Sequence, residues 1–509
     1  MTTPHSASAA EGERRAWLAA LAVTALAALV RLLFAARLPL FPDETYYWEW
    51  SRRLAGGYFD HPPMIAVLIR AGTGIGGSSP LAVRFFSVLA GAAASLATAG
   101  IAWRLAGGAA AIRAAVVLAL MPLVASGLVL ATPDAPLLAA CAAGLYGVVR
   151  ALQSPLRSRA SLLWWSAAGV ALGLAFVSKY TSILLPLAIT AAVLIRPSLR
   201  ARLREPGPYV ACVLATLMFL PVLQWNAAHD WISFRFQLQH GLGTPRGSAI
   251  GRELDLIGGQ LGLVSPILFA LMAHAVWRTL RRPLDDARFA LATVATGCWV
   301  FFVYSATRRS VEPNWPAPSY IPGVALLAAL ATTAGYQRWL RHGVALAALL
   351  VGVLYMHALV PVLPLPARRD PLARNAGWAS VAARVDEARR RAPGRVWVGA
   401  ERYQDVGELA YHLPGEPVAF CTCLRGRRNQ YELWPGFPQR ASSGDALVLA
   451  LDERRPGEIH EAASALAPYF AGVSRGALAP LLRGGDTVSV RRVWLLEGYR
   501  GGWPSRAEP

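Results

Sequence analysis

The 509-residue chain is 55% hydrophobic and only 16% charged, with a positive mean hydropathy and a formal net charge of +20. That composition excludes a wholly soluble enzyme. The basic excess does not imply nucleic acid either, because its arginines gather at the ends of apolar runs, as short cytoplasmic loops do.

Spanning about 30 Å of hydrocarbon takes roughly 20 apolar residues. Eleven runs approach that length, at 16–38, 82–105, 111–131, 135–152, 161–178, 181–196, 208–224, 256–279, 287–306, 317–336 and 342–363. The first is too long, and too poor in a small-residue cleavage site, for a removable signal peptide, so a retained helix is expected. The pattern predicts an all-α polytopic membrane protein of about eleven helices. A cytoplasmic tail (1–15) precedes a membrane domain (16–363), whose first outer loop is 39–81, and an outer domain (364–509) follows. Arg14 and Arg15 precede the first run, and arginine clusters follow the even-numbered ones, which places the N-terminus inside and every odd-numbered loop outside.

The first outer loop opens with Phe41-Pro42-Asp43-Glu44-Thr45-Tyr46-Tyr47-Trp48-Glu49-Trp50. Carboxylates beside hydrocarbon are costly and mark sites. Asp43 and Glu44 are catalytic candidates, since acids with aromatics suit proton transfer near a sugar. The plain alternative is a helix start, with proline in the first turn and acids at the positive end of the dipole. Tyr46, Tyr47, Trp48 and Trp50 read as an interfacial aromatic belt, with Tyr47 also a candidate sugar platform. Glu49 and Arg53, four apart, read as a surface ion pair. Asp60-His61-Pro62-Pro63 cannot lie inside a helix and leads into Met64–Arg70, too short to span. His61 either bonds a phosphate or donor sugar or caps the following helix, and Asp60 adds an acid there.

Further along the outer face come Thr132-Pro133-Asp134-Ala135-Pro136, Ser178-Lys179-Tyr180-Thr181 and Arg308-Arg309-Ser310-Val311-Glu312-Pro313-Asn314-Trp315-Pro316. Asp134 is either an early helix acid or part of a donor site. Lys179 is the single lysine among 50 Lys and Arg residues. At the outer end of an apolar run it is costly unless it has a partner or snorkels, and a compact ammonium suits a phosphate. Arg308 and Arg309 are similar candidates; Glu312, Asn314 and Trp315 are weaker ones for acceptor or sugar.

Beyond 364, short runs at 395–399, 446–450 and 488–495 read as strands, and Trp378–Arg391 and Pro456–Phe470 as helices. A soluble α/β domain is expected. Cys141, Cys212 and Cys298 read as small buried thiols; Cys421 and Cys423 are either a local disulfide or two thiols.

These motifs, as an ordered set over roughly 15–360, resemble family 39 type polytopic glycosyltransferases. The group contains the dolichyl-phosphate-mannose protein mannosyltransferases and their bacterial relatives, among them aminoarabinose transferases of lipid A and galacturonosyltransferases of the lipopolysaccharide core. The resemblance is closest to the bacterial branch. It implies a GT-C fold, a sugar donor on a polyprenyl phosphate, an acceptor (glycolipid, glycan or protein) at the outer face of the bacterial inner membrane, Asp43 as catalytic base and Glu44 assisting. Relatives that modify lipid A tend to have lysine near the position of His61, a departure that bears on the donor.

The residues suggest the same chemistry. Asp43 takes the acceptor hydroxyl proton, configuration inverts, and Lys179 with Arg308 or Arg309 stabilises the departing phosphate, with His61 adding a hydrogen bond. No cofactor is required; a divalent metal held by Asp43, Asp60 or His61 is left open. The rival readings are an oligosaccharide ligase or polymerase and a transporter of lipid-linked sugars, though a transporter would more often show repeats and midplane breaks.

Overall fold

The computed structural model describes residues 4–245, 247–367, 369–453 and 462–506. Its helices, in chain order, are α1 (Pro4–Arg37), α2 (Pro42–Ser51), α3 (Met64–Gly76), α4 (Pro80–Ala106), α5 (Gly108–Leu120), α6 (Pro122–Gly127), α7 (Asp134–Gln153), α8 (Arg159–Phe176), α9 (Leu184–Ile195), α10 (Pro197–Arg200), α11 (Gly207–Ala228), α12 (Ile232–Leu242), α13 (Ala249–Val264), α14 (Pro266–Arg281), α15 (Asp286–Arg308), α16 (Tyr320–Leu330), α17 (Ala334–Leu359), α18 (Trp378–Arg391) and α19 (Tyr403–His412). The chain forms two compact units: one of residues 1–36, 55–75 and 84–355, the other of 37–54, 76–83 and 356–509.

The first unit is helical. Among the described residues seven helices are long and apolar enough to cross a membrane, or nine if two bent pairs each count as a span. The expected run at 256–279 is one such pair. It breaks by 104° between α13 and α14, where Ser265 takes a φ of +81° ahead of Pro266; proline removes the N–H a continuous helix needs. The other bends by 109° at Pro197. The runs at 111–131 and 317–336 overlap the shorter apolar helices Gly108–Leu120 and Ala317–Leu330. Helix starts follow ordinary capping: Ser158 accepts from the N–H of Ser161, Ser248 from Gly251 and Asp285 from Arg288. Small residues bring α8 and α11 into near backbone contact, since a Cβ on Gly169 would lie 2.5 Å from the Cα of Ala211.

The second unit is built on a five-stranded mixed sheet of order β2-β1-β3-β5-β4, with β1 (Val396–Ala400), β2 (Ala419–Cys421), β3 (Ala446–Asp452), β4 (Phe470–Arg483) and β5 (Asp486–Tyr499). β1 runs parallel to β2 and β3, and β5 antiparallel to β3 and β4. Three strands and α18 fall where the sequence places them, and β2, β4 and α19 are additions. The helix expected over Pro456–Phe470 lies partly outside the described residues; 462–466 are helical and β4 starts at Phe470. Cys421 and Cys423 are disulfide-bonded. Arg491, buried, is bracketed by Asp405 at 2.9 Å and Asp452 at 3.2 Å.

α2 belongs to this second unit, and its aromatics are core rather than belt. Tyr46, Tyr47, Trp48 and Trp50 are all buried. Tyr46 packs on Tyr403 at 4.6 Å and Tyr431 at 5.7 Å, and its hydroxyl accepts the N–H of Gln430. Trp48 meets Tyr411 edge-on. Glu49 is no surface partner: it is fully buried and pairs with Arg52 at 2.5 Å, with Arg53 at 3.8 Å. Gly407 sets the spacing between α2 and α19, because a Cβ there would lie 2.9 Å from the Tyr46 nitrogen and 3.0 Å from Thr45 Oγ1. Gly407→Leu is expected to lower stability by about 1–3 kcal/mol through overpacking, read as a fall in Tm. An unchanged Tm would show that α2 does not rest on α19.

Candidate active site

Three separate motifs meet at one carboxylate in the first unit. Asp134 opens α7 and Lys179 follows the end of α8. Lys179 Nζ lies 2.7 Å from Asp134 Oδ1, and Asn314 Nδ2 donates to Asp134 Oδ2 at 2.9 Å. Lys179 is 7% exposed, so the lysine that would otherwise be costly has a carboxylate partner. Next to it in sequence, Tyr180 accepts a bond from Asn226. Tyr180 also lines an apolar groove with Phe176, Phe219, Phe234, Phe302 and Trp315, with a volume of about 560 Å³. A long apolar chain fits such a lining, and a charged head group would find Lys179 at the edge marked by Tyr180.

The Tyr58–Pro63 segment is fixed through its backbone. Ser233 Oγ lies within hydrogen-bonding distance of the carbonyls of Tyr58 and Phe59, at 2.6 and 2.8 Å, and Gln237 donates to that of Asp60 at 2.6 Å. The N–H of Met64 donates to Val177. Asp60 is buried and His61 half-buried. At the end of α15, Arg308 Nε donates to the carbonyl of Leu242. The guanidinium of Arg309 lies so close to Gly243 that a Cβ there would be 2.7 Å from Nη2. Both arginines therefore close around the C-terminal end of α12, where basic groups complement the dipole. Glu312 is exposed and accepts the N–H of Trp315 on its carbonyl, and the Trp315 ring lies 5.3 Å from His240.

Asp43 and Glu44 stand in the first turn of α2, in the second unit. Glu44 is fully buried and its Oε2 accepts the N–H of Phe41 at 2.9 Å, the backward half of a capping box. Asp43 is exposed. The ring of Tyr47 packs edge-on against Trp50. Sequence reasoning singles out neither Ser233 and Gln237, which hold the His61 turn, nor the α19 residues behind α2. The first pair has a usable signal, since Ser233, Gln237 and His240 recur at helical spacing on one face of α12.

Behind α2 lies a titratable pair. Burial, with Asp405, Glu44 and Asp43 nearby, raises the Glu408 carboxyl well above its usual 4.5. Burial pushes His412 down to about 4. Their side chains lie 3.2 Å apart, and burial disfavours the charged form of each. An acid whose folded pKa exceeds its unfolded value stabilises most below the unfolded pKa. The Glu408 contribution therefore falls as pH rises from about 4.5 until that group ionises, by up to about 1.4 kcal/mol per pH unit, while His412 contributes the opposite slope between about 4 and its ordinary 6.5. Glu408→Gln is expected to flatten that decline, so its Tm advantage over wild type grows between pH 5 and 9. Parallel Tm–pH curves would sink the assignment.

Among the described residues no three His, Cys, Asp or Glu side chains stand close enough to hold a metal ion.

Residues 60–225, which include Asp60, His61, Asp134 and Lys179, match the dolichyl-phosphate-mannose-protein mannosyltransferase family. Over 287 residues the chain is 30% identical to the lipid A galacturonosyltransferase RgtD of Rhizobium johnstonii, a match covering 56% of this chain and 59% of that protein. The fold is that of ArnT from Cupriavidus metallidurans. The structure bound to undecaprenyl phosphate superposes with a TM-score of 0.65 at 18% identity, over 94% of this chain and 98% of that one. The apo structure gives 0.63 at 18% identity, over 93% and 97%. The chain is thus a multi-pass membrane protein of the GT-C fold with a small C-terminal sheet domain.

Proposed function

We propose that the protein is an inverting glycosyltransferase that moves one sugar from a polyprenyl-phosphate carrier to lipid A or a related envelope glycolipid, at the outer face of the bacterial inner membrane. The observation that carries this reading is the Lys179–Asp134–Asn314 cluster beside an apolar groove. A charged head and a long hydrocarbon tail are what a polyprenyl-phosphate sugar presents. The relatives support the same choice, one a lipid A galacturonosyltransferase and the other solved with undecaprenyl phosphate bound. The Cys421–Cys423 disulfide favours an oxidising, outer compartment for the sheet domain, in line with an inside N-terminus and an odd number of crossings.

In this mechanism Asp43 accepts the proton of the acceptor hydroxyl as its oxygen attacks the anomeric carbon from the face opposite the phosphate. The bond from that carbon to the phosphate oxygen breaks, its electron pair leaves with the polyprenyl phosphate, and configuration inverts. Phosphate is already a good leaving group, so a positioned cation serves better than a general acid. Lys179 supplies it, and Asp134 with Asn314 holds it in place. His61, fixed by its backbone-anchored turn, lends a hydrogen bond to the donor.

Mass spectrometry of lipid A and core glycolipids tests this in a deletion strain with and without the gene restored. A single-sugar increment that returns with the gene is expected. Identical glycolipid profiles in the two strains would remove lipid A and core as acceptors.

A further inference from the structure

The second unit holds a polar cavity of about 240 Å³ that the mechanism above does not use, lined by Glu401, the first residues of α19 and the 425–429 loop. Three guanidinium side chains line it, those of Arg402, Arg425 and Arg427. We propose that this cavity binds a phosphate group carried by the acceptor glycolipid; the proposal rests on the acceptor class assigned above and adds the site that recognises it.

The loop is anchored along most of its length. The Cys421–Cys423 disulfide closes its base. The Thr422 N–H donates to Ala400, and the Arg425 N–H to Glu401 Oε1 at 2.7 Å. Thr422 Oγ1 bonds the other Glu401 oxygen. Both oxygens of the lining carboxylate thus serve the loop scaffold. Buried Asn429 bonds back to Cys423 Sγ and to the carbonyl of Arg427. Arg506 reaches the carbonyls of Cys423 and Gly426 while pairing with Glu432 at 2.7 Å. A loop tied down at so many backbone points is a rigid platform for the side chains it displays.

One cation of the wall stands without a side-chain partner among the described residues. Arg402 has no ion pair or hydrogen bond from its side chain among the described residues. Arg427 lies over the ring of Tyr403 at 4.4 Å, which orients a planar fork of donors. Guanidinium forks match phosphate oxygens geometrically, and the cavity has room for a phosphate with several waters, each of which takes about 30 Å³. The cavity's place also suits an acceptor. Tyr403, on its wall, packs against Tyr46, which lies one helical turn beyond Asp43, the proposed base. A phosphate held here would bring the rest of the same molecule alongside the first turn of α2.

Isothermal titration of the full-length protein in phosphatidylcholine nanodiscs tests the site. The probes are a glucosamine disaccharide 1,4′-bisphosphate and its unphosphorylated counterpart. Arg402→Gln/Arg427→Gln is expected to weaken the bisphosphate at least tenfold, with Arg402→Lys/Arg427→Lys in between and an unchanged Tm. The unphosphorylated sugar should not distinguish the proteins. Equal bisphosphate affinity in wild type and the Gln variant overturns the proposal. So does phosphatidylglycerol in the disc displacing the probe from wild type, which would make the cavity a site for bulk lipid head groups. A parallel transfer assay separates the two readings. Arginine-dependent binding without transfer to lipid A keeps the phosphate site and removes the enzyme's acceptor. Transfer with an unaltered acceptor KM in the Gln variant keeps the enzyme and removes the site.

Discussion

Asp43→Asn is expected to slow sugar transfer by about 10²–10⁴-fold, the usual worth of a positioned general base, while leaving donor affinity in place. The substitution keeps the size of the side chain and its fitness for a helix N-terminus, where Asn and Asp rank together. A fall in rate therefore reports the lost base and not a lost helix. Two features of the fold make the experiment clean. Glu44 already caps α2 through the N–H of Phe41, and the other face of the helix is held by Tyr403, Tyr411 and Tyr431. The Tm should accordingly stay put. Single-turnover transfer from a polyprenyl-phosphate sugar is the measurement, with donor binding determined separately. Wild-type turnover in the Asn protein would reduce Asp43 to a helix-dipole acid and leave the reaction without a base.

Much of this arrangement is legible in the sequence, and the failures have physical causes. Hydropathy locates the apolar helices because the hydrocarbon requirement is strict. It does not see the breaks at Pro197 and Pro266, which lie within or beside apolar residues where only backbone geometry changes. The Tyr-Tyr-Trp-Glu-Trp stretch reads as a membrane belt because composition distinguishes water from an apolar medium, not lipid from protein. Tyr46 and Trp48 in fact pack on a domain more than 350 residues away in sequence. Lys179 is legible for a different reason: a lone lysine in an arginine-rich chain stands out without any fold. Its partner is not, since the pairing of Lys179 with Asp134 spans 45 residues and depends on how α7 and α8 pack. β2, three residues long, lacks the length for any periodicity to show.

That pairing also supplies the second large effect. Lys179→Met is expected to cut transfer by about 10²–10³-fold, as removal of one transition-state donor does. It also strands Asp134 without its counterion, at a cost of about 3–5 kcal/mol for a buried pair. Loss of activity in the single variant therefore confounds chemistry with folding. Lys179→Met/Asp134→Asn resolves the two. With both charges gone the destabilisation should largely disappear, because the amide introduced in place of Asp134 can still accept from Asn314 and no unpaired charge remains. If Lys179 stabilises the departing phosphate, the double variant regains its Tm but not its turnover, and the deficit lies in kcat more than in donor KM. If Lys179 serves only as the counterion of Asp134, stability and transfer return together. The same comparison bears on Asn314, since Asn314→Ala in the wild-type background leaves the ion pair intact and removes only its alignment. Its loss should be smaller than that of Lys179→Met, an order the phosphate mechanism requires.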